Sequence, residues 1–210
     1  MYEIIVYVDS RKQEIGRSPK QEQIMPAKST AIYQLKIVLQ SKPPIWRRIQ
    51  VKSDITLDVL HQIIQTAMGW DDVHLHQFDV YGTFYSNPAF QVEETEDESR
   101  IKLNRVLTSP KGKFSYEYDF GDGWDHQIVL EKILPVEPET KYPCCLKGKR
   151  NCPPEDIGGI WSYQHFLAAV QDKNHPEHAE SLEQLEWIGG DFDPEEFDLA
   201  EINEGLVDLA

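Results

Sequence analysis

The stretch FSYEYDFGDGWDHQIVLEKIL, residues 114–134, decides the fold because apolar and polar residues alternate on both sides of a Gly-Asp-Gly turn. Such alternation is typical of strands with one buried face, and a short turn between two of them predicts an antiparallel hairpin. The residues expected on the buried face are Phe114, Tyr116, Tyr118, Phe120, Trp124, His126, Ile128 and Leu130.

Three aspartates surround this turn and raise the question of a functional site. If the turn comprises Gly121, Asp122 and Gly123, then Asp119 faces Asp125 across the two strands. Opposed carboxylates repel each other unless a cation, a basic side chain or a shared proton lies between them. The aspartates therefore either build a tight turn or receive a metal ion or a basic partner, and both interpretations stay open.

Upstream of this hairpin the sequence predicts a second hairpin followed by a helix. AIYQLKIVLQ (31–40) and IWRRIQVK (45–52) are rich in β-branched and aromatic residues and are separated by two prolines. TLDVLHQIIQTAMGW (56–70) places apolar residues on one helical face, with Gly69 suited to end the helix. We expect His61 on the exposed side of this helix.

The remaining segments predict further strands and then helices. HLHQFDVYGTFY (74–85) reads as a strand, a turn and a second strand, and FQVEETEDESR (90–100) as a solvent-exposed acidic loop. Three helical segments are expected at residues 162–170, 175–189 and 192–203. In the last of these, Asp193 is expected to cap the helix and Pro194 to occupy its first position.

These elements predict one α+β domain over residues 29–210. Its sheet is expected to be antiparallel or mixed, with a hairpin-helix-strand start that resembles a β-grasp, and its C-terminal part is expected to be helical. Residues 1–28 predict an N-terminal strand and a polar arm.

Charge and cysteine content limit the classes of function. The net charge is −15, with +4 in residues 1–60 and −14 in residues 151–210, so nucleic-acid binding is expected only through the N-terminal third. Three cysteines are a poor disulfide framework and suit a reducing compartment. We find no secretory signal and no apolar run of about 18 residues, so a cytoplasmic location is expected.

Two histidines suggest a metal site. In GWDDVHLHQF (69–78), His74 and His76 would lie on one face of a strand, roughly 7 Å apart. A divalent metal such as zinc or manganese could be held by a set comprising His74, His76, Asp119, Asp122 and His126. The competing interpretation is that one histidine packs in the core with its nitrogens hydrogen-bonded. Cys145 and Cys152 lack the usual zinc spacing and are expected to be buried thiols.

A second set of residues suits an interaction surface because tryptophan and arginine are enriched at interfaces. Its members are Trp46, Arg47, Arg48, Trp70, Asp71, Asp72, Asp125, Glu155 and Asp156. We therefore expect a non-enzymatic binding or accessory module that recognises a protein or peptide partner. The alternatives are a metal-dependent hydrolase or nuclease, and nucleic-acid binding through PPIWRR (43–48), where Arg47 and Arg48 point to opposite faces. Whether the protein is an enzyme stays open.

Six ordered motifs carry a family resemblance. PPIWRR, GWDDVHLHQF, YDFGDGWDH, CPPEDIGG, HPEH and FDPEEFD follow one another as in the plasmid pRiA4b ORF-3-like family, which the chain resembles over about residues 30–205. The resemblance implies an α+β domain of prokaryotic type without an established biochemical role. Some relatives are labelled as passenger proteins of mobile elements. No catalytic residue is carried over from the family.

Overall fold

A mixed eight-stranded sheet organises residues 30–190 and 192–209, which are the residues that the computed structural model of the protein describes. The strands are β1 (Ile32–Leu39), β2 (Ile45–Lys52), β3 (His76–Val80), β4 (Thr83–Ser86), β5 (Thr95–Asp97), β6 (Lys113–Tyr118), β7 (Trp124–Leu134) and β8 (Cys144–Lys149). Their spatial order is β5-β4-β3-β6-β7-β1-β2-β8. Strands β4 and β5 run parallel, whereas the other neighbours are antiparallel. The strand and arm predicted for residues 1–28 lie outside the described residues.

Five α-helices accompany the sheet in the described residues. They are α1 (Leu57–Met68), α2 (Leu103–Val106), α3 (Gly159–Gln171), α4 (His178–Trp187) and α5 (Leu199–Leu206). Helix α1 buries its apolar face in the core and ends at Gly69 in the left-handed conformation, as predicted. The α+β class, the hairpin-helix-strand start and the helical C-terminal part are thereby confirmed. None of the described helices is long and apolar enough to cross a membrane.

The central hairpin forms as predicted, but its turn is longer. Tyr118 pairs with Trp124 and Glu117 pairs with Asp125, so five residues close the turn and the expected pairing of Asp119 with Asp125 is wrong. The reason is local, because Asp119 adopts a left-handed backbone (φ 56°) and its Oδ1 accepts a hydrogen bond from the Gly121 amide. The predicted buried face is correct except for Phe120, which the longer turn leaves exposed.

Two segments form strands that the sequence analysis does not predict. The acidic segment 90–100 includes β5 and buries Glu98, whose carboxylate accepts a hydrogen bond from His76 Nε2 at 2.8 Å. A buried carboxylate needs such a partner. The alternation of residues within the segment does not reveal that Glu98 is buried. Residues 144–149 form the edge strand β8, which pairs with β2. Both segments therefore extend the sheet at its two ends.

The last helix begins later than predicted. Asp193 caps only a turn, whereas Asp198 accepts hydrogen bonds from the Ala200 and Glu201 amides and begins α5. Helix α3, in contrast, begins earlier than predicted, at Gly159 and not at Ser162. This earlier start places the N-terminus of α3 directly after the CPPED loop, residues 152–156, and so beside the central hairpin.

Candidate metal centre

Four polar side chains meet at the edge where the central hairpin turns. From His74 Nε2 the distances are 3.2 Å to Asp156 Oδ1, 3.6 Å to Glu155 Oε2 and 3.7 Å to Asp119 Oδ2. His74 lies in a bend before β3, Asp119 in the turn after β6, and both Glu155 and Asp156 in the CPPED loop. Three separate segments thus supply one imidazole and three carboxylates.

The CPPED loop is held against the hairpin by contacts at both of its ends. Trp70 is buried, stacks on Tyr118 with ring centroids 4.9 Å apart, and donates its Nε1 hydrogen to the Pro153 carbonyl at 3.0 Å. At the other end, Asp122 Oδ2 accepts the Gly158 amide at 3.0 Å. These contacts fix the position of the loop that carries the two acidic residues.

Hydrogen bonds to one carboxylate oxygen orient Glu155, whereas its other oxygen accepts none from the described residues. Its Oε1 accepts hydrogen bonds from the Asp71 amide at 3.0 Å and from the Tyr118 hydroxyl at 3.1 Å. Burial and the neighbouring Glu155 carboxylate raise the Tyr118 pKa, so this phenol stays protonated and donates. Glu155 Oε2 is shielded from solvent and has no hydrogen-bond partner among the described residues. It points toward His74.

Six shielded side-chain atoms have no hydrogen-bond partner in the described chain, and a second one at this site is His74 Nε2. It lies within ion-pair distance of three carboxylates, but none of these contacts has hydrogen-bond geometry. Two ligands of one zinc ion, with bonds of about 2.1 Å, lie roughly 3.0–3.4 Å apart. The observed distances of 3.2 to 3.7 Å are close to this separation. One donor atom from each of His74, Asp119 and Asp156 also lies within 4.8 Å of the other two.

The charge balance of this group favours a cation. A protonated His74 would supply one positive charge against three carboxylates, which leaves uncompensated repulsion in a partly buried place. A divalent ion would offset more of the negative charge and would satisfy His74 Nε2, and a water on that ion would donate to Glu155 Oε2. We therefore treat His74, Asp119, Glu155 and Asp156 as a candidate site for a divalent ion and call this group the metal centre.

A cleft opens beside the metal centre. Its volume is about 270 Å³. The lining residues are Asp72, Val73, His74, Leu75, Phe90, Asp119, Phe120 and Gly121. A ligand in this cleft would therefore reach the His74 and Asp119 side chains.

The other predicted metal ligands lie elsewhere. His76 is buried, pairs with Glu98 and stacks on His61 at 3.5 Å between ring centroids. His74 lies in a bend, whereas the strand begins only at His76. Asp122 is engaged by the Gly158 amide. The predicted ligands His76 and Asp122 therefore do not join His74 at the metal centre.

His126 is also a core residue. It is fully buried, and its Nδ1 hydrogen is donated to the Trp124 carbonyl at 2.8 Å. Burial lowers the His126 pKa to about 4, so the ring is neutral near pH 7. Its edge contacts Trp70, with the ring centroids 5.4 Å apart. His126 therefore packs against Trp70 in the core and is not part of the metal centre.

The expectation that His61 lies on the exposed side of α1 is wrong, because His61 is buried. Its Nε2 donates to Asp72 at 2.8 Å, and its Nδ1 accepts from the Tyr116 hydroxyl at 2.8 Å. Burial and the neighbouring His76 lower the His61 pKa to about 4. A second group of possible metal ligands comprises His61, Asp72 and His76, whose donor atoms lie close together. Both nitrogens of His61 are already hydrogen-bonded. We interpret this group as a structural network.

The arginine pair has different roles on the two faces of the sheet, as predicted. Arg47 is buried, and it donates to the Ala67 and Arg150 carbonyls at 2.8 Å each. Arg48 points to the other face, where it forms a bidentate pair with Glu131 and lies over the Trp46 ring. Because both guanidinium groups are engaged within the chain, the case for nucleic-acid binding through PPIWRR is weakened.

The remaining surface residues lie around the metal centre or away from it. Asp71 is exposed and contributes only its amide to Glu155, and Asp72 lines the cleft. Asp125 faces solvent on the far side of the hairpin. The partial loss of its hydration and the facing Glu117 carboxylate raise the Asp125 pKa. Sequence patterns did not identify the Tyr118 contact to Glu155 or the apolar side chains of the cleft. For the apolar side chains of the cleft, the sequence offers one indication, which is the apolar Val73 between the polar residues Asp72 and His74.

Comparison with known proteins identifies the family. Residues 31–201 match the family described as plasmid pRiA4b ORF-3-like protein. The uncharacterized protein y4hQ of Sinorhizobium fredii is 37% identical over 184 residues, which cover 86% of this chain and 93% of that protein. The crystal structure of a protein of unknown function, MM3350 from Methanosarcina mazei Go1, has a TM-score of 0.73 and 36% identity. That match covers 82% of this chain and 97% of the other.

Proposed function

This chain belongs to the plasmid pRiA4b ORF-3-like family, and we propose that it is a hydrolase that depends on one divalent metal ion. The ligands are His74, Asp119 and Asp156. One observation carries the proposal: two shielded atoms without partners in the described chain, His74 Nε2 and Glu155 Oε2, lie 3.6 Å apart in a group of three carboxylates.

The donor set selects the class of metal. One imidazole nitrogen and two carboxylates suit zinc or manganese, whereas calcium and magnesium favour ligand sets made only of oxygens. Three protein ligands leave at least one coordination position for water, and such an open position is typical of catalytic zinc sites. The metal would lower the pKa of that water and supply a nucleophile near neutral pH.

Glu155 has the position of a general base. Its Oε1 is fixed by Asp71 and Tyr118, and its free Oε2 faces the place where a metal-bound water would lie. A carboxylate held in this way can accept the proton of the attacking water. Tyr118 acts as a positioning residue, because it touches only the oxygen of Glu155 that faces away from the water.

The test of this proposal is metal-restored hydrolysis. Protein treated with a chelator and reloaded with Zn²⁺ or Mn²⁺ should hydrolyse at least one of three probes: p-nitrophenyl acetate, bis(p-nitrophenyl) phosphate or a leucine p-nitroanilide. Glu155→Gln should lower kcat by about 10²–10⁴-fold because it removes the base, while metal content stays at one ion per chain. Glu117→Gln, on the same hairpin but outside the metal centre, is the matched control.

Two outcomes of that experiment would refute a hydrolase. In the first, wild-type protein loaded with metal is no faster than chelated protein on all three probes. In the second, Glu155→Gln retains the wild-type rate at full metal content.

A second function, recognition of a protein or peptide partner, is favoured by two exposed tryptophans. Trp161 on α3 and Trp187 on α4 have 82% and 77% of their surface exposed. Trp161 lines a groove with Glu177, Glu180 and Gln184, and Trp187 follows Gln184 by about one helical turn. Aromatic side chains rimmed by acidic ones suit a basic partner. We propose a Lys- and Arg-rich peptide segment as the ligand of this groove.

Titration with basic peptides that contain one aromatic residue tests this second function. We expect binding at 50 mM salt that weakens as salt increases, because the attraction between charges is screened. Trp161→Ser should weaken binding at least tenfold, whereas Tyr81→Ser, at a similarly exposed aromatic residue on the β3–β4 turn, should not. Equal binding by both variants would contradict the assignment. Both functions suit a cytoplasmic protein, and the link to mobile elements remains an expectation from the family resemblance.

A further inference from the structure

The cleft beside the metal centre has an apolar rim that metal binding does not require. Val73 has 65% of its surface exposed, and Leu75, Phe90 and Phe120 have 39%, 37% and 38%. All four line the cleft of about 270 Å³ that also contains His74 and Asp119. Single exposed apolar residues are ordinary, but four of them around one polar centre form a concave apolar surface.

The backbone holds these side chains in their exposed positions. The Val73 amide donates to the Tyr118 hydroxyl at 3.1 Å, which ties the segment before His74 to the hairpin. Phe120 lies in the five-residue turn, directly after Asp119, whose side chain accepts the Gly121 amide. Phe90 contacts the buried His76 with a ring-centroid distance of 5.7 Å. Val73, Phe90 and Phe120 therefore each adjoin a residue with a fixed position.

The charges of the lining restrict the ligand further. Its ionisable members are Asp72, His74 and Asp119, and within the described chain no lysine or arginine lines the cleft. A phosphate-rich ligand such as a nucleotide would find carboxylates and no cationic side chain to pair with. An uncharged apolar group would gain from burial against the rim. A volume of about 270 Å³ lies just below the roughly 300–1,000 Å³ of pockets for drug-sized ligands, so the cleft suits a small group such as a phenyl or leucyl side chain.

We infer that the metal centre acts on compounds that place a carbonyl oxygen on the metal and an aromatic or branched aliphatic group in this cleft. The substrate class is therefore an ester or amide whose acyl portion is apolar. This inference rests on the proposed hydrolase function, and it adds the specificity of the same site. A bound ion would hold the carbonyl oxygen, and Val73 with Phe120 would contact the apolar group beside it.

Two hydroxamates of different size provide the test, because both bind metal through the same oxygens. We expect benzohydroxamate to bind the zinc-loaded protein at least tenfold more tightly than acetohydroxamate, as measured by calorimetry. In Val73→Ser and Phe120→Ser this ratio should fall below about threefold, because each change removes apolar surface from the cleft. Tyr81→Ser is the matched control, since it removes an exposed aromatic ring from the β3–β4 turn outside the cleft.

The outcomes separate the inference from the hydrolase proposal. If both hydroxamates bind the zinc-loaded protein with equal affinity, or if the ratio is unchanged in both cleft variants, the apolar subsite is refuted while the metal centre stands. If the protein takes up no metal, both are refuted. A ratio that falls equally in Tyr81→Ser would also overturn the inference, because the effect would then be unrelated to the cleft.

Discussion

Adding Zn²⁺ to the metal-free protein should raise its Tm by about 5–11 °C once the free ion exceeds its Kd a hundredfold. Binding at that concentration stabilises the folded state by about 2.7 kcal/mol. In a protein of this size, 1 kcal/mol shifts Tm by about 2–4 °C. The increase arises because the ion neutralises the repulsion between Asp119, Glu155 and Asp156 and satisfies His74 Nε2.

Two ligand variants should abolish this increase in different ways. His74→Ala removes the imidazole nitrogen and should leave the carboxylates without a zinc-selective partner. Asp119→Asn keeps the side-chain oxygen that accepts the Gly121 amide but removes one negative charge. We expect the metal-free Asp119→Asn protein to be at least as stable as wild type, since repulsion is relieved, and to show no zinc-dependent rise in Tm.

Replacing the exposed His165 by alanine is the matched control and should preserve the full rise. His165 pairs with Glu177 on the helical part of the chain and is not in the metal centre. A full zinc-dependent rise in His74→Ala would contradict the account, because zinc would then bind elsewhere.

Gly159→Ala should lower the free energy of unfolding by about 2–5 kcal/mol, the largest effect on stability that we expect from a single methyl group. A Cβ at this position would lie 2.3 Å from the Asp122 carbonyl oxygen, and the backbone has φ of 79°. The left-handed backbone alone costs an alanine about 1–2 kcal/mol, and overpacking adds about 1–3 kcal/mol. The substitution therefore forces α3 away from the hairpin turn.

Gly82→Ala separates the two contributions. Gly82 has a similar φ of 88°, but a Cβ there meets no heavy atom within 4 Å in the described chain. It should lose only the conformational part, about 1–2 kcal/mol. Urea unfolding monitored by tryptophan fluorescence measures both. Gly159→Ala should also lose zinc binding while still folded, because Glu155 and Asp156 lie just before the displaced helix. Equal losses of stability in both variants would show that α3 does not pack tightly on the turn.

The sequence predicts the sheet and the first helix well because their signals are local. Alternation in residues 114–134 identifies the central hairpin, and apolar spacing with Gly69 identifies α1 with its end. The prediction of helix bounds fails where two neighbouring residues are equally good candidates for the N-cap. Asp193 and Asp198 both accept amide hydrogens two residues ahead, but only Asp198 begins a helix.

The candidate site was only partly predictable for a similar reason. The predicted metal set includes His74 and Asp119, but it also includes His76, which lies in β3 and is hydrogen-bonded to Glu98. Glu155 and Asp156 were assigned to a surface, because no periodicity connects them with a hairpin more than 30 residues away. The contact of Asp122 with Gly158 brings them together, and a sequence pattern does not encode such a tertiary contact.

The most direct measurement is anomalous diffraction from a crystal soaked in Zn²⁺. We predict one dominant peak about 2.0–2.2 Å from His74 Nε2 and from carboxylate oxygens of Asp119 and Asp156. Its height should correspond to one ion per chain, and it should vanish in His74→Ala. A crystal with no peak at these three residues, or with zinc only at Cys145 and Cys152, would contradict the metal centre.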